Sequence, residues 1–384
     1  MNKKLVFFGG TFDPPHLEHV NMVKSVVKEL SPEKIIIMPT FVPPHKRVFL
    51  SATPKQRLEL CREAFSSING VEVSDWEICK KGKSYSYLTV QKLKNDYPDY
   101  DILFLMGTDM LSSFSQWKNP LEILKNATPL LCVRKGEGVE KEQSVKEFNR
   151  QFGVTIQTLE YEGKELSSTD IKIEAMLLSD LTDFVNNGVN RLIGEYSLYN
   201  YGELSEFTRD NLPPKRIEHT KGVIRLALKY AKTFKVDLEK TAIASLLHDS
   251  AKYLRAEDFP DFKMPKGVPY QVAHQYLGAY VAETVLGVKD KEILNAIKYH
   301  TSAKPNMSLL AKIVFTADML EEGRSYEGVE EIRQLSFKNF DKAFVLSMQR
   351  SLDYVRERGC EVYPLTQKAY NYYNQRLKGD KNGI

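Results

Sequence analysis

Cysteine is scarce in this 384-residue chain: Cys61, Cys79, Cys132 and Cys360 stand far apart, none in a CxxC pair, which argues against a disulfide framework or a thiolate zinc knuckle. They read as reduced packing residues. Long apolar runs are missing too: no stretch approaches the roughly 18 residues a membrane helix needs, so neither a membrane span nor a membrane partner is expected. The start, Met1 to Phe8, imitates a signal peptide only until Gly9 and Asp13, and reads as a buried strand of a cytoplasmic protein. There is no block of one charge. The net charge of +4 comes from 54 basic residues interleaved with 50 acidic ones, a pattern that argues against nucleic acid as the main partner, whereas a small anionic substrate needs only local positive charge. Internal repeats and low-complexity segments are likewise lacking.

What the chain does have is length enough for two cores and two contrasting halves. Up to about residue 196, short apolar runs alternate with helical periodicity, which predicts a parallel sheet covered by helices. The expected strands are Lys4–Phe8, Lys34–Met38, Val71–Val73, Ile102–Met106, Pro129–Val133 and Val154–Thr158. Between the first two, Leu17, Val20, Val23, Val26, Val27 and Leu30 recur at helical spacing, and Ser31-Pro32 closes that helix, giving a β-α-β unit. After about residue 200 the strand pattern vanishes and helix follows helix; Ile217, Ile224, Leu228, Ala231 and Phe234 form one stripe, and Asp237 offers an N-cap. The junction is expected near residues 197–205, with an α/β domain over 1–200 and an all-α domain over 201–384.

The seven histidines fall into two groups. His16, His19 and His45 lie near the N-terminus; His219, His248, His274 and His300 lie in the second half. The first group adjoins Gly9-Gly10-Thr11-Phe12-Asp13-Pro14-Pro15, a loop that follows a strand and opens a helix, where backbone N–H groups and the positive helix end can receive phosphate. His16 and His19, three residues apart, are expected on one helix face, two donors for one polyphosphate.

These residues, with Pro43-Pro44-His45-Lys46, Ser84-Tyr85, Gly107-Thr108-Asp109, Trp117 and Leu166-Ser167-Ser168-Thr169-Asp170-Ile171-Lys172, resemble the nicotinate-nucleotide adenylyltransferases of the nucleotidyltransferase superfamily over about residues 4 to 199. The resemblance implies a Rossmann-like fold. It implies that the phosphate of nicotinate mononucleotide attacks the α-phosphorus of ATP and releases pyrophosphate, with Mg²⁺ bridging phosphates and with His16, His19 and Lys46 stabilising charge. Asp109 and Trp117 would hold the mononucleotide, and Ser167, Ser168 and Lys172 the ATP. Gly9, Gly10, Thr11, Phe12, Asp13, His45, Ser84, Tyr85, Gly107, Arg134 and Thr169 complete the expected nucleotide site. Two positions depart from the family's text. Glu18 stands where the His-x-Gly-His pattern has glycine, which places a carboxylate where ATP approaches, and Lys172 replaces an arginine, keeping charge but losing a planar bidentate donor.

In the second half, adjacent His248-Asp249 joins His219, His274, His300 and Asp318 as a mixed set of imidazoles and carboxylates. Such a set favours iron, manganese or similar ions, and six ligands can serve two metals that share a carboxylate. The order, together with Glu218-His219-Thr220, Leu246-Leu247-His248-Asp249-Ser250-Ala251-Lys252-Tyr253, Tyr299-His300-Thr301 and Ala317-Asp318 through Gly323-Arg324, resembles the YqeK-like branch of the HD phosphohydrolases over about residues 212 to 376. The resemblance implies symmetrical cleavage of diadenosine tetraphosphate to two ADP at a di-iron centre, with other divalent metals open. His219, His248, Asp249 and Asp318 would bind one metal, His274 and His300 the second, Asp249 would bridge and serve catalysis, and Lys252 and Arg324 would contact phosphates.

The combined expectation is a bifunctional enzyme acting on ATP, nicotinate mononucleotide and diadenosine tetraphosphate. Two readings stay beside it: a hydrolase whose first domain only binds nucleotide, and a nucleotide-sensing scaffold. Homo-oligomerisation, the preferred base of the mononucleotide and coupling between the domains are left open.

Overall fold

The computed structural model describes residues 3–43, 49–136, 139–178 and 180–379. The chain divides into two compact units, one drawn from residues 1–199 and the other from Asn200 onward together with Met176–Leu178 and residues 49–50.

The first unit is built on six parallel strands, β1 (Lys3–Gly10), β2 (Lys34–Pro39), β3 (Val71–Val73), β4 (Tyr100–Gly107), β5 (Thr128–Arg134) and β6 (Gln157–Tyr161), in the order β3-β2-β1-β4-β5-β6. Eight helices cover or flank the sheet: α1 (Leu17–Leu30), α2 (Pro54–Phe65), α3 (Trp76–Lys80), α4 (Ser86–Asp96), α5 (Pro120–Asn126), α6 (Val139–Phe152), α7 (Ser168–Leu177) and α8 (Asn187–Glu195). Leu5 to Phe8 are all buried, as a strand covered on both faces requires, so its text is continuously apolar rather than alternating. Strand order reverses between β1 and β4, and the carboxyl ends of these two strands carry Gly10 and Gly107. That switch point is where open α/β sheets accept ligands.

Five expected strands lie within the observed ones. The sixth is corrected: Val154–Ile156 is irregular, with the Ile156 N–H given to Asn149 Oδ1 at 2.9 Å, and pairing with β5 starts only at Gln157. Helix α1 ends after Leu30 with Ser31 in the left-handed region (φ 43°). Cys61 and Cys132 are packed in the interior, but Cys79 and Cys360 are exposed, contrary to the expected packing role.

The second unit has no strand among the described residues. Its helices are α9 (Glu203–Asn211), α10 (Pro214–Phe234), α11 (Leu238–Leu247), α12 (Tyr270–Thr284), α13 (Lys291–Lys298), α14 (Leu309–Leu320), α15 (Val329–Lys338), α16 (Phe340–Glu357) and α17 (Pro364–Gly379). Pro214 supplies the first position of α10, where its missing N–H costs nothing, and Asp237 caps α11 by accepting from the Lys240 N–H at 2.9 Å. The core joins Ala244 and Leu247 of α11, Ala282 of α12, Ile297 of α13, Val314 and Phe315 of α14 and Phe344 and Met348 of α16. Helix α14 is apolar on most of its surface and largely buried, and Asp318 near its end is a carboxylate on that element.

Candidate active sites

At the end of β1, close packing accounts for both glycines. A Cβ on Gly9 would lie 2.8 Å from the Phe7 ring and one on Gly10 would lie 2.9 Å from the Phe12 ring. Phe12 is buried and meets the His19 ring edge-on at 5.0 Å, so it supports that histidine from the core. His16 is the N-cap of α1 rather than a residue within it, and its ring lies 3.6 Å from that of His19, tilted by 31°. The His16 N–H donates to His19 Nδ1 at 3.1 Å, so a neutral His19 carries its proton on Nε2. The two rings therefore do lie one above the other. The helix end is less open than its sequence suggests, because the Leu17 N–H is taken by the carbonyl of Phe184 at 3.0 Å.

Two expected nucleotide ligands are found in the interior. Asp13 and Lys172, both about 4% exposed, pair at 2.6 Å, and Asp13 also accepts from Ser51 Oγ, the Ala52 N–H and Tyr199 OH. Lys172 is thus engaged in tying α7 to the β1–α1 loop. The neighbouring Ser168 hydroxyl donates to the Pro14 carbonyl, and Ser167 Oγ donates to Asp170 Oδ2 and caps α7 through the Asp170 N–H. Thr169 follows in the first turn of α7. Ser84 Oγ accepts from the Phe41 N–H, and the Tyr85 ring sits under Lys118 Nζ at 4.6 Å. Asp109 is exposed and folds back so that its Oδ1 lies 2.8 Å from where a Gly107 Cβ would stand. Trp117 leans on Phe104 and Phe114 at the edge of the core, and Arg134 ends β5, half-buried. His45 and Lys46 lie outside the described residues.

Sequence reading missed Arg57. This buried side chain on α2 donates to the carbonyls of Thr11, Thr40 and Phe41 at 2.6–2.9 Å, so one guanidinium fixes the loops after β1 and β2 together. An arginine inside an amphipathic helix carries no local pattern that would have singled it out.

In the second unit the six expected ligands converge. His219 comes from α10, His248 caps the C-terminus of α11, Asp249 follows in the next turn, His274 comes from α12, His300 follows α13 and Asp318 lies on α14. Their ligand atoms form two groups, His219–His248–Asp318 and Asp249–His274–His300, each within 4.8 Å. Asp249 faces both groups: Oδ1 lies 3.2 Å from His274 Nε2 and 3.4 Å from His300 Nε2, and Oδ2 lies 3.9 Å from His248 Nε2.

The donor atoms fit metal. His248 Nδ1 is fixed on the Ser245 carbonyl at 2.6 Å and His300 Nδ1 on the Ile297 carbonyl at 2.8 Å, which leaves each Nε2 as a lone-pair donor. His248 Nε2 is buried with no hydrogen-bond partner among the described residues. His219 Nε2 stands 3.0 Å from Asp318 Oδ1 without hydrogen-bond alignment, as two ligands of one ion would. His274 and His300 turn their Nε2 atoms toward each other at 3.1 Å.

Burial pulls His248 down to about 3 and also lowers His274, against the pull of Asp249. For His219 burial also acts downward, but Asp318 and Glu321 outweigh it and its pKa is raised. Burial acts to raise Asp249 and Asp318, yet both lie well below the usual carboxylate range, through His248, His274, His300 and Lys252 for the first and through Arg324 and His219 for the second.

Around the ligands, Lys252 Nζ reaches both oxygens of Asp249 and Arg324 donates to Asp318 Oδ1 at 2.6 Å. Arg216, one turn before His219, also donates to Asp249 Oδ2 at 3.2 Å, and sequence reading missed it. It missed Glu321 too, whose Oε1 lies 3.0 Å from His219 Nδ1. A signal existed: a Cβ on Gly222 would lie 2.6 Å from Glu321 Oε2, so the glycine three residues after His219 makes room for that carboxylate.

An α/β unit with a phosphate loop at its switch point, followed by a helical unit with two His/Asp groups joined by one aspartate, defines a nucleotidyltransferase coupled in one chain to an HD-type hydrolase. Residues 7–174 match the cytidylyltransferase-like family and residues 216–323 the HD domain. A Mycoplasma genitalium protein named probable nicotinate-nucleotide adenylyltransferase/Ap4A hydrolase is 28% identical over 93% of this chain and 100% of its own length. The symmetrical bis(5′-nucleosyl)-tetraphosphatase of Bacillus subtilis is 32% identical over 43% of this chain and 92% of its own. A probable nicotinate-nucleotide adenylyltransferase of Clostridium tetani is 30% identical over 51% of this chain and 99% of its own. The chain belongs to the nicotinate-nucleotide adenylyltransferases through its first half and to the symmetrical bis(5′-nucleosyl)-tetraphosphatases through its second.

Proposed function

We propose that the chain is a bifunctional enzyme. Its first unit transfers adenylyl from ATP to nicotinate mononucleotide, giving nicotinate adenine dinucleotide and pyrophosphate in NAD synthesis; its second cleaves diadenosine tetraphosphate symmetrically to two ADP. The observation that carries the hydrolase is the position of Asp249 between two histidine-bearing groups. For the transferase it is the stacked His16–His19 pair at the phosphate loop.

In the first unit no covalent intermediate is needed, so catalysis is positioning and charge stabilisation. The mononucleotide phosphate attacks the α-phosphorus in line with the pyrophosphate. His16, His19 and Lys46 neutralise the developing charge, Ser167, Ser168 and Thr169 at the start of α7 receive ATP together with Gly9, Gly10 and Thr11, and Asp109, Trp117, Ser84 and Tyr85 orient the mononucleotide. Mg²⁺ arriving with ATP would supply positive charge against the phosphates. Lys172 acts here through Asp13, by holding the loop.

In the second unit, His219, His248 and Asp318 would hold one metal ion and His274 and His300 a second, with Asp249, which faces both groups, contributing to each; iron is the ion proposed. A metal pair supplies an activated water and shields phosphate charge. Lys252, Arg216 and Arg324, which neutralise Asp249 and Asp318, stand ready to receive phosphate oxygens.

One assay series tests both halves: the purified chain with ATP, Mg²⁺ and nicotinate mononucleotide, then the iron-loaded chain with diadenosine tetraphosphate. Dinucleotide with pyrophosphate, and ADP as the sole product of the second substrate, are expected. AMP plus ATP from the tetraphosphate contradicts symmetrical cleavage. The engagement of Lys172 with Asp13 favours, as a second reading, a first unit that only binds nucleotide; nucleotide binding without dinucleotide would decide for it.

A further inference from the structure

Gln275 follows His274 on α12, is fully buried, and commits its whole carboxamide to the turn that carries His300. Oε1 accepts the Thr301 N–H at 3.2 Å and the Ser302 N–H at 3.1 Å, and Nε2 donates to Ser302 Oγ at 2.8 Å. The amide has one orientation here, because turned over it would set its NH₂ against two N–H donors. Ser302 carries the link onward by donating to the Ala303 carbonyl at 3.0 Å. Ala303 is buried in the left-handed region (φ 54°), a conformation an L residue keeps only where its surroundings hold it. One side chain thus ties the segment bearing His274 to the segment bearing His300.

Among the described residues, the other hydrogen bonds between α12 and this turn run through His274 itself: its Nε2 lies 3.1 Å from His300 Nε2 and 3.2 Å from Thr301 Oγ1. These contacts use the nitrogens that the metal reading assigns to an ion, so they yield when one binds. The Gln275 clamp uses neither nitrogen and stays. A ligand pair whose direct contacts must yield needs its spacing fixed from behind, as partners outside a metal's ligands commonly do. The clamp joins segments of the Asp249–His274–His300 group alone, since His219, His248 and Asp318 come from α10, the end of α11 and α14.

We infer that Gln275 is a positioning residue that sets the spacing of His274 and His300, and with it the affinity of the second metal position independently of the first. This rests on the two-metal reading of the second unit. The test titrates the full chain, stripped with a chelator, with Fe²⁺ under anaerobic conditions, read by calorimetry and by metal content per chain. Gln275→Met keeps the length but makes none of the three hydrogen bonds, Gln275→Asn withdraws the amide by one methylene, and Gln275→Glu restores an acceptor for the two N–H groups. The wild type is expected to bind two ions. Gln275→Met and Gln275→Asn are expected to keep one at wild-type affinity and to weaken the other about 10–100-fold, and Gln275→Glu to recover it. Two ions at wild-type affinity in both weakened variants overturn the inference alone. So does equal weakening of both ions, which a general loss of structure would give, or a Gln275→Glu no better than Gln275→Met. If Gln275→Met does not fold, Gln275→Asn decides by the same measures. A wild type that binds a single ion overturns the two-metal reading and the inference with it.

Discussion

His248 commits Nδ1 to a backbone carbonyl and keeps Nε2 without a hydrogen-bond partner among the described residues, toward His219, Asp318 and Asp249. Removing it takes away a proposed metal ligand and changes no residue of the first unit. His248→Ala is therefore expected to abolish tetraphosphate hydrolysis and to leave adenylyl transfer at the wild-type rate, with metal content per chain and both product assays as the measurements; loss of both activities in a folded variant contradicts it. Glu321 acts one step further out, by orienting His219 through Nδ1. Glu321→Gln is expected to lower metal affinity or hydrolysis about 10–100-fold. These imidazoles also set a pH dependence for the metal-free protein. The unfolded chain binds protons at His248 and His274 near the ordinary histidine value, while the folded chain refuses them, so stability falls as pH drops from about 6.5 toward the lowered folded values. His219 works oppositely: its contribution is full below the ordinary value and fades as pH rises through its raised one. With two groups against one, hydrogen-exchange protection in α11 and α12 of the metal-free chain is expected to weaken from pH 6.5 to 5. Constant protection would contradict the burial of these imidazoles.

At the scale of elements, the first unit's site depends on a strap that sequence patterns do not display. Lys172 on α7 and Asp13 after β1 are 159 residues apart, and their buried pair holds two segments of the phosphate site in register. Taking away one partner leaves an uncompensated buried charge, so Lys172→Ala is expected to destabilise the first unit by about 3–5 kcal/mol, read by urea denaturation. A loss below about 1 kcal/mol would show the pair to be dispensable. The same pair explains what could be read in advance. Strands and helices were legible because apolar spacing is local, and β6 slipped by three residues because Val154–Ile156 has strand composition but its backbone is drawn to Asn149. The convergence of His219, His248, Asp249, His274, His300 and Asp318 was legible because few other histidines exist to confuse the pattern. Arg57, Arg216 and Glu321 were not, since an arginine or glutamate on a helix has the same text whether it is solvated or tied to a site. Lys172 was visible as a cation, but its partner was not, and only the fold shows that the charge is turned inward.

At the scale of the whole molecule, the two proposed residue sets share no member and belong to units with separate cores. In the proposed function the first set presents donors to phosphate and the second lone pairs to metal, and the two demands on histidine are opposite: protonation favours one and opposes the other. The activities should therefore separate by metal as well as by mutation. Stripping the chain with a strong chelator, removing the chelator and restoring Mg²⁺ alone is expected to return adenylyl transfer in full while tetraphosphate hydrolysis stays lost until a transition-metal ion is added. The reason lies in the ligands: imidazole nitrogens prefer iron-like ions, whereas Mg²⁺ takes oxygen ligands and arrives with the nucleotide. Product analysis of both reactions at each stage measures this. Hydrolysis restored by Mg²⁺ alone would show that the His219–His248–Asp318 and Asp249–His274–His300 groups do not select their ion by nitrogen donation. Adenylyl transfer that still required the transition metal would show the two units to be coupled through more than the chain that joins them.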